Sequence, residues 1–507
     1  MKNLIEISKI VTKKKVRKIE IFDDHSLKHK NSKFNEFYEA LMANKFKNDR
    51  DAASFLYGCG PTDDKYRQLK SRFRKRLLNT LFFLDVNLPA TSSYDRAYYS
   101  CNKDWTLVKI LLSNNAQATA ATLARQILTT ALKYKFADVI VNAARILRDH
   151  AAREADEKLF EEYDQHIKQY ANVLDAEIRS EELYQRVIMN YYLPPGPADS
   201  LREKIDTYCD ALVGLSEIYE SPVILYNMYL VWTYRYEMLL DYPAMLEVCA
   251  RAEQYIEEHP RNYRAEMLAT FQLKKMTAYL HLQSFDPGQA DAEKCLATFQ
   301  QGSETWFDFL EMYFLLAVHT KRYVNAVAIY HRATGNNRFK HLPHAVRERW
   351  KVYDVAQHYL IELRGAENPI LLEQRKKAFR LNRFLTEPLL YPKDQRILTL
   401  QMTIFQMLFL LQRRKLTQAG ERVDRLKSFA NRQLKRELHG RPIQLIRNLQ
   451  QLARVDFQAD RLNNIEELTE KLAAHPFVYR GQLSELEVIP YEQVWELALE
   501  AAVPARR

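Results

Sequence analysis

The cysteine at position 59 lies between two glycines, just ahead of a helix-start signal, in the stretch GCGPTDD. A reactive thiol needs a lowered pKa, which a helix N-terminus or a nearby positive charge supplies. Asp63 and Asp64 follow closely, and their negative charge would oppose a thiolate. The sequence indicates no histidine partner. Cys59 is therefore predicted to be a structural cysteine and not a nucleophile.

The same helix start has the location of a phosphate cradle but not its composition. Such cradles present bare backbone N–H groups to an anion. Here the two aspartates already occupy that end of the helix, and the chain has no GxxxxGK, GxSxG, HExxH or GxGxxG motif. Because these patterns mark the common catalytic and nucleotide sites, we expect no enzymatic activity and no cofactor.

His25 and His29 have the spacing of two metal ligands, since residues four apart share one face of a helix. Asp23 and Asp24 lie beside them in the sequence. The neighbouring residues are basic and typical of a loop, which disfavours a bound cation. No metal site is predicted.

Basic side chains are concentrated in two zones. Residues 1–76 contain 20 basic and 10 acidic side chains, and residues 371–450 contain 18 and 6, whereas residues 77–370 contain 31 and 38. Such asymmetry indicates an anionic partner, and the alternative is that these charges form a solvated face. The predicted contact residues are Lys13, Lys14, Lys15, Arg17, Lys18, Lys65, Arg67, Arg72, Arg74, Lys75, Arg76, Arg413, Arg414 and Lys415.

Seven of the twelve residues from 65 to 76 are basic, and they surround an apolar stripe that includes Tyr66, Phe73 and Leu77. Thr62 is expected to cap this helix. A cationic helix of this kind can neutralise phosphates and release counterions, which gives salt-dependent binding to nucleic acid. Lys and Arg stems also cover apolar edges, so a solvated face remains the other interpretation.

Composition favours helices. The chain has 507 residues, 47% of them hydrophobic, and only 11 glycines. Typical glycine usage is about 7%, and doubly wound α/β and β-rich folds need glycine in their turns. We therefore predict an all-α fold of helices joined by short polar turns.

Cysteine usage and hydropathy indicate a cytoplasmic protein. None of the five cysteines lies within three residues of another, which is typical of a reducing compartment. The first residues lack the apolar core of a signal peptide, and the most apolar stretch, residues 398–412, is too short to span a bilayer. We expect no membrane partner.

Apolar residues recur at helical spacing from about residue 105 onward. In residues 305–333, two such helices flank a short basic turn. The packing residues expected from these stripes are Phe136, Tyr242, Tyr323, Ala326, Tyr330, Ala333, Leu416, Ala419 and Leu462.

The stripe of Tyr323, Ala326, Tyr330 and Ala333 resembles the second helix of a tetratricopeptide repeat (TPR), which has an aromatic start, a small central residue and an alanine near its end. The resemblance implies a right-handed α-solenoid of irregular TPR-like hairpins over residues 105–475. The full chain is also similar to a group of bacterial proteins of like length that implies no activity, through KRLLNTLFFLD and IPYEQVWELALE.

Four segments are expected: a basic helical N-terminal module (1–90), a first helical-repeat segment (91–193), the main TPR-like solenoid (198–480), and a C-terminal capping helix and tail (481–507). The prolines of residues 191–200 predict the main boundary, because consecutive prolines end a helix. The expected function is a non-catalytic scaffold or adaptor that binds a protein or peptide in a TPR-like groove. The alternative is a nucleic-acid-associated regulator whose N-terminal module contacts phosphates.

Overall fold

The computed structural model describes residues 4, 5, 7, 32–43, 45, 46, 48–81, 92–191, 203–375, 378–389, 391–435 and 438–502 of the chain. These residues are mainly α-helical and contain no strand, which confirms the all-α prediction. Within this part of the chain, no helix has both the length and the apolar run that crossing a membrane requires.

The α-helices follow one another with short connections. They are α1 (Lys33–Met42), α2 (Asp49–Tyr57), α3 (Asp64–Thr80), α4 (Ser93–Ser113), α5 (Gln117–Tyr134), α6 (Ala137–Arg153), α7 (Glu157–Tyr191), α8 (Ile205–Ile218), α9 (Pro222–Met238), α10 (Tyr242–Glu258), α11 (Ala265–Leu282), α12 (Phe285–Thr298), α13 (Glu304–His319), α14 (Tyr323–Thr334), α15 (His344–Arg364), α16 (Pro369–Glu373), α17 (Leu381–Thr386), α18 (Arg396–Gln412), α19 (Leu416–Gln433), α20 (Gly440–Arg454), α21 (Ile465–Ala473) and α22 (Tyr491–Ala502).

The chain forms two compact units, residues 1–174 and 175–507, and the division falls within α7. Residues 192–202, which include the prolines that predicted a boundary, lie outside the described residues. In unit 1, α1 to α3 enclose an aromatic core around Phe37 and Phe73. The helices α4, α5 and α6 pack on one another through an alanine-rich core, because small side chains let helix backbones approach closely.

Unit 2 consists of helices that pack on their sequence neighbours, and some also pack on the next helix but one. The neighbouring pairs in contact are α8·α9, α9·α10, α10·α11, α13·α14 and α18·α19, and the alternate pairs include α11·α13 and α20·α22. The helices α15 and α18, which the two short helices α16 and α17 separate in the sequence, are also in contact. The last helix, α22, packs against α18, α20 and α21. One large core runs from Met276 to Ala498, so the packing is continuous through the second half of the unit.

One turn geometry recurs between neighbouring helices. A residue with positive φ ends the first helix, and the N–H of the following residue bonds to a carbonyl five positions back at 2.8 to 3.0 Å, the Schellman pattern. Glycine usually fills the positive-φ position, but none does so in these turns. The positive-φ residues are Asn115, Lys135, Ala155, Leu240, Gln283, Lys321, Arg414 and Asp456.

Gly288 of α12 packs closely against α11 and α13. A Cβ at this position would lie 2.5 Å from Leu316 Cδ2 and 3.2 Å from Tyr279 Cβ. We expect Gly288→Ala to lower the free energy of unfolding by about 1–3 kcal/mol, because the added methyl overpacks a filled core. Gly420→Ala is the matched control. Apart from the adjoining backbone of its own helix, no described atom lies within 4 Å of its Cβ position, so the added helix propensity should raise stability by about 0.5–1 kcal/mol. Urea unfolding measures the free energy of unfolding of both variants. If both substitutions changed it in the same direction, the prediction would be contradicted.

Candidate functional site

Residues 475–490, which we name the strap, connect α21 to α22 and lie against α11, α13 and α18 of unit 2. The strap is irregular apart from one 3-10 turn, Leu483–Glu485. Its apolar side chains are almost fully buried: Tyr479, Leu486, Val488 and Ile489 are each 3% exposed or less. The strap therefore fills part of the core of unit 2.

Side chains from three helices bind backbone atoms of the strap. His281 of α11 accepts a hydrogen bond at Nε2 from the Tyr479 N–H at 3.0 Å, and His319 of α13 lies 2.8 Å from the Glu487 carbonyl oxygen. Gln401 of α18 donates to the Leu486 carbonyl oxygen at 2.8 Å and accepts from the Val488 N–H at 3.3 Å. These contacts hold the strap through its main-chain atoms.

Burial keeps both histidines neutral. Desolvation lowers the pKa of His281 to about 4, although its bond to the Thr277 carbonyl oxygen opposes the shift. Desolvation also lowers the pKa of His319 to about 4, and the positive charge of Arg441 contributes to the shift. The neutral forms suit these contacts, because Nδ1 of His281 then donates to Thr277 and leaves Nε2 free to accept from Tyr479.

One buried and two half-buried ion pairs lie beside these backbone contacts. Arg441 of α20 donates to Glu487 at 2.6 Å and to Glu492 at 2.7 Å. Nearer the start of the strap, Arg480 donates to Glu485 at 2.6 Å and to the Tyr191 carbonyl oxygen at 3.1 Å. Buried charges are tolerated when they are paired and hydrogen-bonded, and Arg441 and Glu487 meet both conditions.

A second buried acid, Glu311 of α13, lies near Tyr479 of the strap. Glu311 accepts from the Tyr353 hydroxyl at 2.7 Å and lies 2.9 Å from Arg349. Burial raises the pKa of Glu311, and the positive charge of Arg349 opposes that rise. The strap surface thus combines neutral imidazoles, an amide and paired charges, a set of groups suited to holding a peptide segment.

The structure leaves most of the predicted cationic residues of α3 exposed. The side chains of Lys65, Arg67, Arg72, Arg74 and Lys75 are exposed, whereas Arg76 is half-buried and packs over the Phe34 ring. The basic residues from Lys13 to Lys18 lie outside the described residues. The cap of α3 is Asp63 and not Thr62, because the Asp63 side chain accepts from the Lys65 N–H at 2.9 Å.

The second predicted cationic cluster is divided among different partners. Arg413 pairs with Glu362 at 3.0 Å, and Arg414 donates to the Ala501 carbonyl oxygen. Lys415 is exposed at the start of α19. Arg441, which appeared in the sequence only as part of a basic stretch, is buried in the strap surface.

The predicted packing residues lie at or near helix–helix contacts. Most of them are buried, whereas Tyr323, Tyr330, Leu416 and Leu462 are half-buried. Phe136 directly precedes α6. The first residues of their helices are Tyr242, Tyr323 and Leu416. The fully buried members are Ala326, Ala333 and Ala419.

Cys59 is half-buried, and its Sγ donates to the Ala53 carbonyl oxygen at 3.7 Å. His25 and His29 lie outside the described residues. Among the residues that the structure describes, no group of three or more His, Cys, Asp or Glu side chains could hold a metal ion.

Sequence reasoning did not find the strap surface. Its histidines, amide and acids are scattered over 200 residues, and no local spacing connects them. The one available signal was Arg441 at the start of a helix with strong apolar periodicity. Compared with known proteins, the chain matches no family model, no curated protein and no solved structure.

Proposed function

We propose that this is a non-catalytic, cytoplasmic scaffold protein whose second unit is a right-handed α-solenoid of irregular TPR-like hairpins. The recurring Schellman turn supports the repeat interpretation, since the same turn joins helix pairs in both units. The contacts between alternate helices also support it, because stacked hairpins place every second helix in one layer.

The observation that carries this proposal is the binding of the strap. Helices α11, α13 and α18 hold a peptide segment of the same chain through its backbone. A helical array that binds a segment in this way has the chemistry of a peptide-binding protein. Because the strap already occupies this surface, we place the docking surface for a separate partner elsewhere in unit 2.

The exposed face of α19 is the docking surface that we propose. Arg425, Lys427 and Arg432 are exposed there and form no ion pair with any described residue. Lys415 at the start of the helix adds a further positive charge. A partner with an acidic segment fits this face, since complementary charge steers association and selects partners.

Contact with nucleic acid is the second candidate function, and the exposed cations of α3 favour it. Lys65, Arg74 and Lys75 form no ion pair with any residue that the structure describes. Each phosphate that such side chains neutralise would add to the salt dependence of binding.

Two matched charge-reversal variants separate these functions. We expect Arg425→Glu/Lys427→Glu/Arg432→Glu to remove the proteins that co-purify with the tagged full chain, and Lys65→Glu/Arg74→Glu/Lys75→Glu to leave them bound. Nuclease treatment should change neither result. All six side chains are exposed, so both variants should fold, and thermal unfolding checks this.

The opposite pattern would favour the second function. Loss of the co-purifying molecules on nuclease treatment and in the α3 variant, with steeply salt-dependent binding to random-sequence DNA or RNA, would assign nucleic acid as the ligand. Partners that survive both variants and nuclease would reject both surfaces.

A further inference from the structure

A pocket of about 570 Å³ lies between α14, α15 and residues 378–387 of unit 2, apart from the strap surface and the α19 face. Its floor is apolar. Val355, Phe384 and Met402 line it and are each less than 10% exposed. Phe379 also lines the pocket and stacks on His358, with ring centroids 4.7 Å apart.

An oriented carboxylate forms the inner wall of this pocket. Asp354 accepts at Oδ1 from the Tyr330 hydroxyl at 2.7 Å and from Gln357 Nε2 at 3.3 Å, and His358 Nε2 lies 3.6 Å from the same oxygen. All three contacts use Oδ1. These contacts fix the orientation of the carboxylate. The Asp354 side chain is still 42% exposed, so the carboxylate is accessible from the pocket.

Gln357 supplies a second acceptor at the inner wall. The residue is 2% exposed and lines the pocket, and its Oε1 has no hydrogen-bond partner among the described residues. Buried polar atoms are nearly always paired, so an orphaned acceptor beside an open pocket indicates a missing donor. A ligand that brings an N–H or O–H group to this point would satisfy it.

The rim of the pocket has the opposite character. Lys351, Arg380 and Arg383 line it and are exposed, and only Lys351 forms an ion pair with a described residue, Glu348. Glu387 is the one acid among the rim residues that the structure describes. The two unpaired guanidinium groups present donors that match a carboxylate or a phosphate.

We propose that this pocket binds a small polar molecule with ammonium or hydroxyl donors at one end and a carboxylate or phosphate at the other. Asp354 and Gln357 accept from the donor end, and Arg380 and Arg383 bind the anionic end. Val355, Phe384 and Met402 contact the carbon chain between them. The ligand site is independent of the proposed scaffold function, because it shares no residue with the α19 face.

Calorimetric titration of the full chain with two probes tests this site. L-glutamate supplies an ammonium donor with carboxylates, and glycerol 3-phosphate supplies hydroxyl donors with a phosphate. We expect at least one of them to bind with a Kd below about 1 mM. Glycerol and inorganic phosphate, which each lack one of the two ends, should bind at least about tenfold more weakly.

Variants tie the binding to the pocket. Asp354→Asn and Arg383→Ala should each raise the Kd of the probe that binds by about tenfold or more. Arg332→Ala removes an arginine of α14 that pairs with Glu293 outside the pocket, and it should leave the affinity unchanged. Asp354 and Arg383 are not buried, and the melting temperature of each variant verifies folding. A Kd above about 1 mM for both probes, equal binding of a one-ended control, or wild-type affinity in both pocket variants would overturn the proposal.

Discussion

Arg441→Ala is expected to destabilise unit 2 by about 3–5 kcal/mol, the cost of leaving a buried charge without its partner. Arg441 is 8% exposed and Glu487 is 5% exposed, and the guanidinium bonds to Glu487 at 2.6 Å and 3.1 Å. Without it, the Glu487 carboxylate must be desolvated alone or take up a proton. Urea unfolding followed by tryptophan fluorescence measures the loss, since Trp232, Trp306, Trp350 and Trp495 all belong to unit 2.

An exposed ion pair of the same unit provides the control. Arg413 pairs with Glu362 at 3.0 Å, and its side chain is 46% exposed. Arg413→Ala should cost less than about 1 kcal/mol, because solvent screens such a pair. Glu487→Gln in the Arg441→Ala background should recover part of the loss by removing the unpaired charge. Equal losses for Arg441→Ala and Arg413→Ala would show that the buried pair does not hold the strap.

The buried imidazole of His319 should make unit 2 sensitive to acid. Burial lowers its pKa from an ordinary value near 6.5 to about 4. Between these values the unfolded chain binds a proton that the folded chain does not, so stability is complete above pH 6.5 and falls as the pH decreases towards 4. The shift of about 2.5 units corresponds to about 3 kcal/mol.

The variant His319→Gln isolates this contribution from other titrating groups, including Glu492 nearby. A glutamine amide can still donate to the Glu487 carbonyl oxygen but does not titrate. We expect the stability of the wild type to fall by about 3 kcal/mol relative to His319→Gln from pH 6.5 to pH 4. His344→Gln, at a side chain that is 74% exposed, should follow the wild-type profile. Parallel pH profiles for wild type and His319→Gln would contradict the assignment.

The helices could be predicted from the sequence because their signals are local. The stripe that begins at Tyr323 and ends at Ala333 lies within α14, and Pro490 directly precedes α22. Scarce glycine correctly indicated helices, although the turns between them are built with Lys, Gln and Arg at positive φ. Capping was predicted less well, since Thr62 and Asp63 are both good cap residues and only backbone geometry selects Asp63.

The strap and the pocket could not be predicted, because both depend on contacts between distant residues. Gln401 binds Leu486 across 85 positions, and Arg480 binds Tyr191 across 289. Apolar periodicity reports which face of a helix is buried but not which segment buries it. Asp354, Gln357 and His358 likewise look like ordinary residues of an amphipathic helix until the fold places them beside residues 378–387.

The strap also bears on the order in which the chain is made and folded. A ribosome releases the N-terminal part first, and domains generally fold as they emerge. The core of unit 2 includes Tyr479, Val488 and Trp495, so the surfaces of α11, α13 and α18 that bind the strap stay uncovered until the strap and the start of α22 have been synthesised. Chains that stop before residue 475 would expose these surfaces, which makes them substrates for chaperones and proteases. The core of unit 2 is therefore complete only when residues 475–495 are present.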